Sequence, residues 1–133
     1  IQVCTNLPCM LRGCVDVVRA CEDKLGVKFG GTTADGEFTL NEVECAGACV
    51  NAPIVSVGDD YYEDLDYESM GKLIDALKDG NAPASGSAIG RQGAAPAGDR
   101  KSLNEDPTQK YLVQDFAASK QKFEAARKAK ENA

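Results

Sequence analysis

Six cysteines and no histidine constrain this chain of 133 residues more than any other feature of its sequence. Four of the cysteines form two close pairs, Cys4-x4-Cys9 and Cys45-x3-Cys49. Without histidine, the chain lacks the ligands of His-coordinated zinc and of a Rieske centre, and it lacks the base of a His-dependent catalytic triad. The chemistry of this chain is therefore expected to depend on thiols.

Charge divides the chain near residue 80. Residues 1–80 carry 6 basic and 15 acidic side chains, whereas residues 81–133 carry 9 and 6. The acidic balance argues against a nucleic-acid partner, and no run of 18 apolar residues is present that would indicate a direct membrane span. Gly, Ala, Ser and Pro dominate residues 81–107, which predicts a flexible linker or a strap laid over a partner. Residues 108–133 are predicted to form an amphipathic helical tail.

The first 80 residues have the pattern of alternating strands and helices. A short strand is expected at Ile1, followed by one helix from Met10 to Leu25 that Gly26 ends. Leu11, Cys14, Val18, Cys21 and Leu25 recur at helical spacing and are expected to form its buried face.

The remaining elements of the first half are predicted from turn and cap signals. Residues 38–45 resemble a strand whose alternation fails near Asn41, which indicates a bulge or turn. Residues 53–63 predict a hairpin around Gly58. Asp66 is expected to cap a last helix that ends at Gly80. The buried positions expected on that helix are Met70, Leu73, Ile74 and Leu77.

Three kinds of site are compatible with the paired cysteines. Disulfides are typical of small secreted domains, and structural zinc sites favour Cys-x2-Cys spacing, which neither pair has. A 2Fe–2S cluster takes four thiolates, and two loops with two cysteines each would supply them. This third interpretation leads. Cys14 and Cys21 lie on the apolar helix face instead, where a cysteine is expected to be a small buried hydrophobe.

Residues beside the paired cysteines suit a cluster site. Small residues around Cys49 would let backbone N–H groups approach sulfur. Arg12 would place a positive charge near the site, or would pair with Asp16 one helical turn away. The neighbouring residues expected to contribute are Thr5, Asn6, Pro8, Arg12, Gly47, Ala48 and Asn51.

Four motifs in order carry a resemblance to a known family. They are Cys4–Gly13, Asp35–Leu40, Val43–Pro53 and Asp59–Leu65. Together they resemble the 24 kDa-type 2Fe–2S subunits of respiratory NADH:quinone oxidoreductase, complex I. The resemblance covers roughly residues 1–80, and the tail matches no motif of the family.

The resemblance implies an α/β, thioredoxin-like ferredoxin domain over residues 1–80, with a 2Fe–2S cluster on Cys4, Cys9, Cys45 and Cys49. It implies an electron carrier within an enzyme complex, without substrate-converting residues of its own. The partners implied are a subunit that binds NADH and FMN and other peripheral-arm subunits of a membrane-attached complex. The location implied is the matrix side of the mitochondrial inner membrane, or the cytoplasmic side of a bacterial one.

The sequence also departs from the family. The family usually carries a helical segment before the cluster domain, so this chain, which starts at Ile1, is expected to be processed, truncated or part of something longer. Cys14 occupies a position where a small residue is expected, which keeps a fifth-ligand role open. Three alternatives stay open: a diaphorase subunit of an NAD-linked hydrogenase or formate dehydrogenase, a free-standing thioredoxin-like ferredoxin, and a dithiol redox protein using Cys4 and Cys9.

Overall fold

The computed structural model describes residues 1–98, so the predicted tail at 108–133 and the end of the predicted linker lie outside the described residues. Those 98 residues form three α-helices and five short strands. The elements in chain order are β1 (Gln2–Cys4), α1 (Leu7–Leu11), α2 (Cys14–Leu25), β2 (Asn41–Val43), a 3-10 turn (Cys49–Asn51), β3 (Val55–Val57), β4 (Asp60–Glu63), α3 (Tyr67–Lys78) and β5 (Gly86–Ser87).

The five strands form one mixed sheet in the order β2-β1-β3-β4-β5. β1 and β2 run parallel, with Cys4 opposite Val43, while β3 is antiparallel to both β1 and β4. Parallel neighbours end at the same edge of a sheet. The chain that leaves β1 after Cys4 and the chain that leaves β2 after Val43 therefore start side by side.

The apolar core lies where α2 and α3 pack against each other and against the sheet. Val3, Val17, Leu40, Met70 and Ile74 are fully shielded from solvent there. Burial of such side chains contributes about 1.5–3 kcal/mol each relative to exposure. This core fixes the strands whose ends carry the cysteines.

The helix predicted from Met10 to Leu25 is two helices, and the prediction of one continuous helix is wrong. Gly13 adopts a left-handed backbone with φ of 95°, which ends α1 and turns the chain into α2. As a result Leu11, expected on the buried face, is 77% exposed. The predicted stop at Gly26 is confirmed, because Gly26 is the left-handed C-cap of α2.

The last helix matches its prediction closely. Asp66 caps α3 by accepting a hydrogen bond from the Ser69 amide at 2.8 Å, and the Ser69 hydroxyl accepts in return from the Asp66 amide. The predicted positions Met70, Leu73 and Ile74 are buried, whereas Leu77, predicted with them, is only partly buried. Gly80, with φ of 72°, follows its C-terminus.

The strands are shorter than the sequence suggests. The strand predicted over residues 38–45 is reduced to β2, because Thr39 and Leu40 pair with residues 30–32 whereas the chain from Asn41 onward pairs with β1. This change of pairing partner accounts for the failed alternation. The predicted hairpin is confirmed by the antiparallel pairing of β3 with β4 across Gly58 and Asp59.

The segment after α3 belongs to the folded domain for much of its length. Gly86 and Ser87 add a parallel strand beside β4, and residues 1–97 form one compact unit. Residues 81–97 therefore lie in the same compact unit as residues 1–80. We call residues 81–97 the strap. No helix within residues 1–98 has the length and apolar character needed to cross a bilayer.

Candidate metal centre

The two cysteine pairs lie on segments that meet at one edge of the sheet. Cys4 is the last residue of β1, and Cys45 lies two residues beyond the end of β2. The register of the parallel pair sets Cys4 opposite Val43. The topology therefore brings the segment after β1 and the segment after β2 to the same edge, as a site with four thiol donors requires.

Cys4 and Cys9 form the buried half of this site. Their exposed fractions are 2% and 1%, and both pack in a small apolar cluster with Ile54. Asn6 caps α1 by accepting a hydrogen bond from the Leu7 amide at 2.7 Å, and Pro8 lies in the first turn. The sequence predicts Cys9 on a loop before a helix, but it lies inside α1, whose only buried residue it is.

Cys45 and Cys49 form the exposed half. The loop between them lies against the buried thiols through Ala46 and Ala48, which pack on the cluster containing Cys4 and Cys9. Gly47, with φ of 75°, donates its amide to the Cys45 sulfur at 3.4 Å. The small residues expected to admit backbone to sulfur are thus in contact with this site.

The surroundings of Cys4 and Cys9 shift the pKa values of the two thiols in opposite directions. Burial raises the pKa of the Cys4 thiol, but hydrogen bonds from the Ala46 and Asn6 amides and from the Cys9 thiol outweigh it, so this pKa lies below its ordinary value. Burial and the hydrogen bond that it donates to Cys4 raise the pKa of Cys9 to about 12. The hydrogen bonds from the Ala46 and Asn6 amides thus lower the pKa of the Cys4 thiol by favouring its charged form.

Cys14 and Cys21 are buried, as predicted for helix-face cysteines. Cys21 lies in the main apolar core with no exposed surface, and burial raises its thiol pKa to about 12. Cys14 packs in the same small cluster as Cys4 and Cys9, and burial, with the nearby Cys4, raises its thiol pKa. Cys14 is therefore a neighbour of the site, whereas Cys21 is remote from it.

Other predicted neighbours have roles that the sequence does not indicate. The Thr5 hydroxyl donates to Glu42 at 2.6 Å instead of to sulfur. Arg12 is exposed at the end of α1, and its alternative partner Asp16 pairs with Arg19 at 3.0 Å. Asn51 is buried and binds the strap, with its side-chain amide donating to the Gly93 carbonyl at 2.9 Å.

Two further residues that hold the Cys45–Cys49 loop are missed by sequence reasoning. The Tyr61 hydroxyl donates to the Ala46 carbonyl at 2.9 Å, and Arg91 donates to the Val50 carbonyl at 3.4 Å. Tyr61 lies inside one of the motifs that carry the family resemblance. One feature of the sequence could have pointed to Arg91, because it is the only charged residue between residues 81 and 98.

The chemistry of the donor set fits a 2Fe–2S cluster. Such a cluster takes four thiolates, and all six cysteines, which lie within the described residues, are free thiols. Over residues 1–98, no group of three or more Cys, Asp or Glu side chains lies close enough together to hold a metal ion. The site thus offers two thiols from each of two adjoining segments, with N–H donors between them.

Comparison with known proteins agrees with this geometry. The family model of the thioredoxin-like 2Fe-2S ferredoxins matches residues 1–78. The chain is 62% identical over 78 residues to a subunit of NADH-quinone oxidoreductase from Rickettsia conorii, covering 59% of this chain and 47% of that protein. The corresponding protein of Rickettsia felis is 61% identical over 75 residues, covering 56% and 45%.

A mitochondrial relative extends the likeness beyond the family match. NADH dehydrogenase [ubiquinone] flavoprotein 2 of Dictyostelium discoideum is 44% identical over 107 residues, covering 80% of this chain and 43% of that protein. The chain thus spans a little under half the length of these curated relatives. Because the family model matches residues 1–78, which is more than half of the chain, this chain belongs to the thioredoxin-like 2Fe-2S ferredoxin family.

Proposed function

We propose that this chain is the electron-transfer subunit of an NADH:quinone oxidoreductase. It would hold a 2Fe–2S cluster that exchanges electrons with the FMN of a neighbouring, NADH-oxidising subunit. The ligands in this proposal are Cys4, Cys9, Cys45 and Cys49. The observation that carries the proposal is the meeting of two cysteine-bearing segments at the shared end of β1 and β2.

The cysteines of the two segments would play different parts. Cys4 and Cys9 are buried and fixed by β1 and α1, so they would supply the rigid side of the site. Cys45 and Cys49 are exposed on a loop that packs against Cys4 and Cys9, so Cys45 and Cys49 would close the site from the solvent side. A bound 2Fe–2S cluster takes up and releases one electron. Amides such as those of Ala46 and Gly47 would stabilise negative charge on sulfur.

The relatives' names support the choice of complex. Those relatives are named as subunits of bacterial NADH-quinone oxidoreductase and of mitochondrial NADH dehydrogenase. We therefore propose that the chain acts on the matrix side of the mitochondrial inner membrane or on the equivalent cytoplasmic side of a bacterial one. The acidic balance of residues 1–80 would favour basic surfaces on neighbouring peripheral-arm subunits.

The flavin-binding partner would dock where the cysteines are. Large apolar side chains are exposed on the segments that carry them: Leu7 is 62% exposed, Leu11 is 77% exposed and Val50 is 64% exposed. Exposed apolar side chains gathered beside a functional site are typical of protein–protein contacts. A partner on this surface would contact α1, which carries Cys9, and the turn that carries Cys49.

The direct test uses the full chain together with the flavin-binding subunit. After anaerobic loading with iron and sulfide, NADH is added and the visible absorption of the cluster is followed. We expect NADH to reduce the cluster only when the flavin-binding subunit is present, and we expect the two proteins to co-elute in size-exclusion chromatography. A chain that elutes alone and stays oxidised would instead support a free-standing ferredoxin.

A further inference from the structure

The strap is joined to the domain by a buried ion pair. Arg91 donates to an Asp64 carboxylate oxygen at 2.6 Å, and the side chains of the two residues are only 9% and 2% exposed. The Ser87 hydroxyl donates to the other Asp64 oxygen at 2.6 Å. Asp64 has a left-handed backbone with φ of 54°, the one non-glycine residue with positive φ between residues 1 and 98. A charge pair this deeply buried holds its partners in a single arrangement.

Arg91 and Asp64 also form hydrogen bonds with the residues that directly follow Cys49. Arg91 donates a second guanidinium N–H to the Val50 carbonyl at 3.4 Å and to the Ala95 carbonyl at 3.2 Å. The Asp64 amide donates to the Asn51 carbonyl at 2.7 Å. The ion pair therefore spans the strap, the end of β4 and the turn that carries Cys49.

Asn51 makes a second link between that turn and the strap. Its side-chain amide donates to the Gly93 carbonyl at 2.9 Å and to the Glu63 carboxylate. Asn51 is only 5% exposed, so these bonds form away from competing water. The two residues after Cys49 are thus linked to two points of the strap: Val50 to Arg91 and Asn51 to Gly93.

An open pocket lies beside this junction. It has a volume of about 280 Å³ and lies between part of the Cys45–Cys49 loop and the strap. Its lining residues are Gly47, Ala48, Val50, Asn51, Glu63, Gly93 and Ala94. Next to this space, the hydrogen bonds of Arg91 and Asn51 link the turn after Cys49 directly to the strap.

From these contacts we infer that Arg91 is a positioning residue for the cysteine site, which it reaches through the turn that carries Cys49. The strap holds this turn against Asp64, and the turn holds Cys49 in place relative to Cys4 and Cys9. This role deepens the proposed function and rests on it, because the loop matters for electron transfer only if its cysteines hold the cluster.

Amide hydrogen exchange on the full, metal-free chain tests the positioning itself. In Arg91→Gln, we expect the amides of residues 45–52 to exchange about tenfold to a hundredfold faster, as loss of a charge-assisted hydrogen bond predicts. Amides of α3 should be unchanged. Arg91→Lys retains a charge for Asp64 but lacks the forked donors, so its loop should exchange at an intermediate rate. The matched control is Arg19→Gln, which removes an exposed ion pair with Asp16.

Cluster properties supply the second readout. In chains loaded with iron and sulfide, Arg91→Gln should shift the reduction potential and the electron paramagnetic resonance spectrum of the cluster and hasten its loss, whereas Arg19→Gln should not. Unchanged exchange of residues 45–52 in both Arg91 variants would overturn the inference. Equal acceleration of residues 45–52 and of α3 would also overturn it, since Arg91 would then stabilise the whole domain. Failure of the proposed function would appear separately, as a parent chain that takes up no iron.

Discussion

The core around α2 and α3 and the edge that carries the cysteines are held together in different ways. In the core, Val17, Leu40 and Ile74 are fully shielded, and contact between apolar side chains fixes their positions. At the cysteine edge, Cys45 and Cys49 are exposed and the loop between them consists of Ala-Gly-Ala. A hydrogen bond from Tyr61 holds this loop, and hydrogen bonds of Arg91 and Asn51 hold the turn after Cys49.

Because of this difference, the stability of the domain and the geometry of the cysteine site depend on different contacts. The core is held by burial of apolar side chains, and it fixes the ends of β1 and β2. The exposed loop has few apolar contacts of its own, so its order depends on polar links and, in our proposal, on the cluster. Substitutions in one region should therefore leave the other largely intact.

The largest effect is expected from the cysteines of the site. Replacing Cys4, Cys9, Cys45 or Cys49 by Ala should remove most of the bound iron, because each replacement deletes one of the four thiolate ligands that we propose. Iron analysis and the visible spectrum measure this. Cys21→Ala is the matched control and should keep its iron, since Cys21 lies in the apolar core. Cys14→Ala tests the fifth-ligand role, and loss of iron there would contradict a four-cysteine site.

In the core, Ile74→Ala should lower the free energy of unfolding by about 2–5 kcal/mol, because it leaves a cavity in a fully shielded position. Chemical denaturation followed by circular dichroism measures the loss. Ile89→Ala deletes the same atoms from a strap residue that is 59% exposed, and it should change stability by less than about 0.5 kcal/mol. The folded fraction of the Ile74 variant should keep the parent's cluster spectrum. A changed spectrum would show that core and site are coupled.

On the proposed docking surface around Leu7, Leu11 and Val50, Leu11→Asp should weaken binding to the proposed flavin-binding subunit by at least about tenfold, equivalent to about 1.4 kcal/mol, because it sets a charge in an apolar contact. Iron content and stability should not change, since Leu11 is 77% exposed. Titration calorimetry with the purified partner measures the affinity. Val15→Asp offers a comparison on α2, where Val15 is 67% exposed. Binding that Leu11→Asp leaves intact would mean that the partner docks elsewhere.

The smallest effect concerns the cap of α3. Hydrogen bonds from the Ser69 amide and hydroxyl lower the pKa of Asp66, so the cap stabilises the fold above the ordinary Asp value and loses this contribution as the pH falls through the lowered pKa. Asp66→Ala should therefore cost about 1 kcal/mol at pH 7. The difference from the parent should shrink below about pH 4. A difference that stays constant across this range, measured by urea denaturation, would exclude the charged cap as its cause.

Elements with local signals are the ones that the sequence predicts well. Asp66 with Ser69, the stop at Gly26 and the hairpin around Gly58 are set by nearby residues, and the structure has all three. The break at Gly13 is not evident from the sequence, because the apolar spacing runs through it without interruption although the helix does not. Local signals do not report where a chain changes direction under tertiary contacts.

The candidate site can be predicted only in part, for a related reason. The cysteine pairs, their small neighbours and the burial of Cys14 and Cys21 are evident from spacing and composition. The hydrogen bonds from Arg91 to Val50 and from Asn51 to Gly93 join residues about 40 positions apart, so no local pattern predicts them. In addition, a Gly/Ala-rich segment has no periodicity that would predict a strand such as β5. Composition therefore predicts a linker where the structure has the strap.

The most direct measurement is the content of iron and acid-labile sulfide in the anaerobically purified full chain, read together with its visible spectrum. We expect about two irons and two sulfides per chain and no zinc, as four thiolates holding a 2Fe–2S cluster require. Stoichiometric zinc, or a metal-free chain whose thiols are blocked, would contradict the proposed electron-transfer role, and membership of the family would then describe the fold alone.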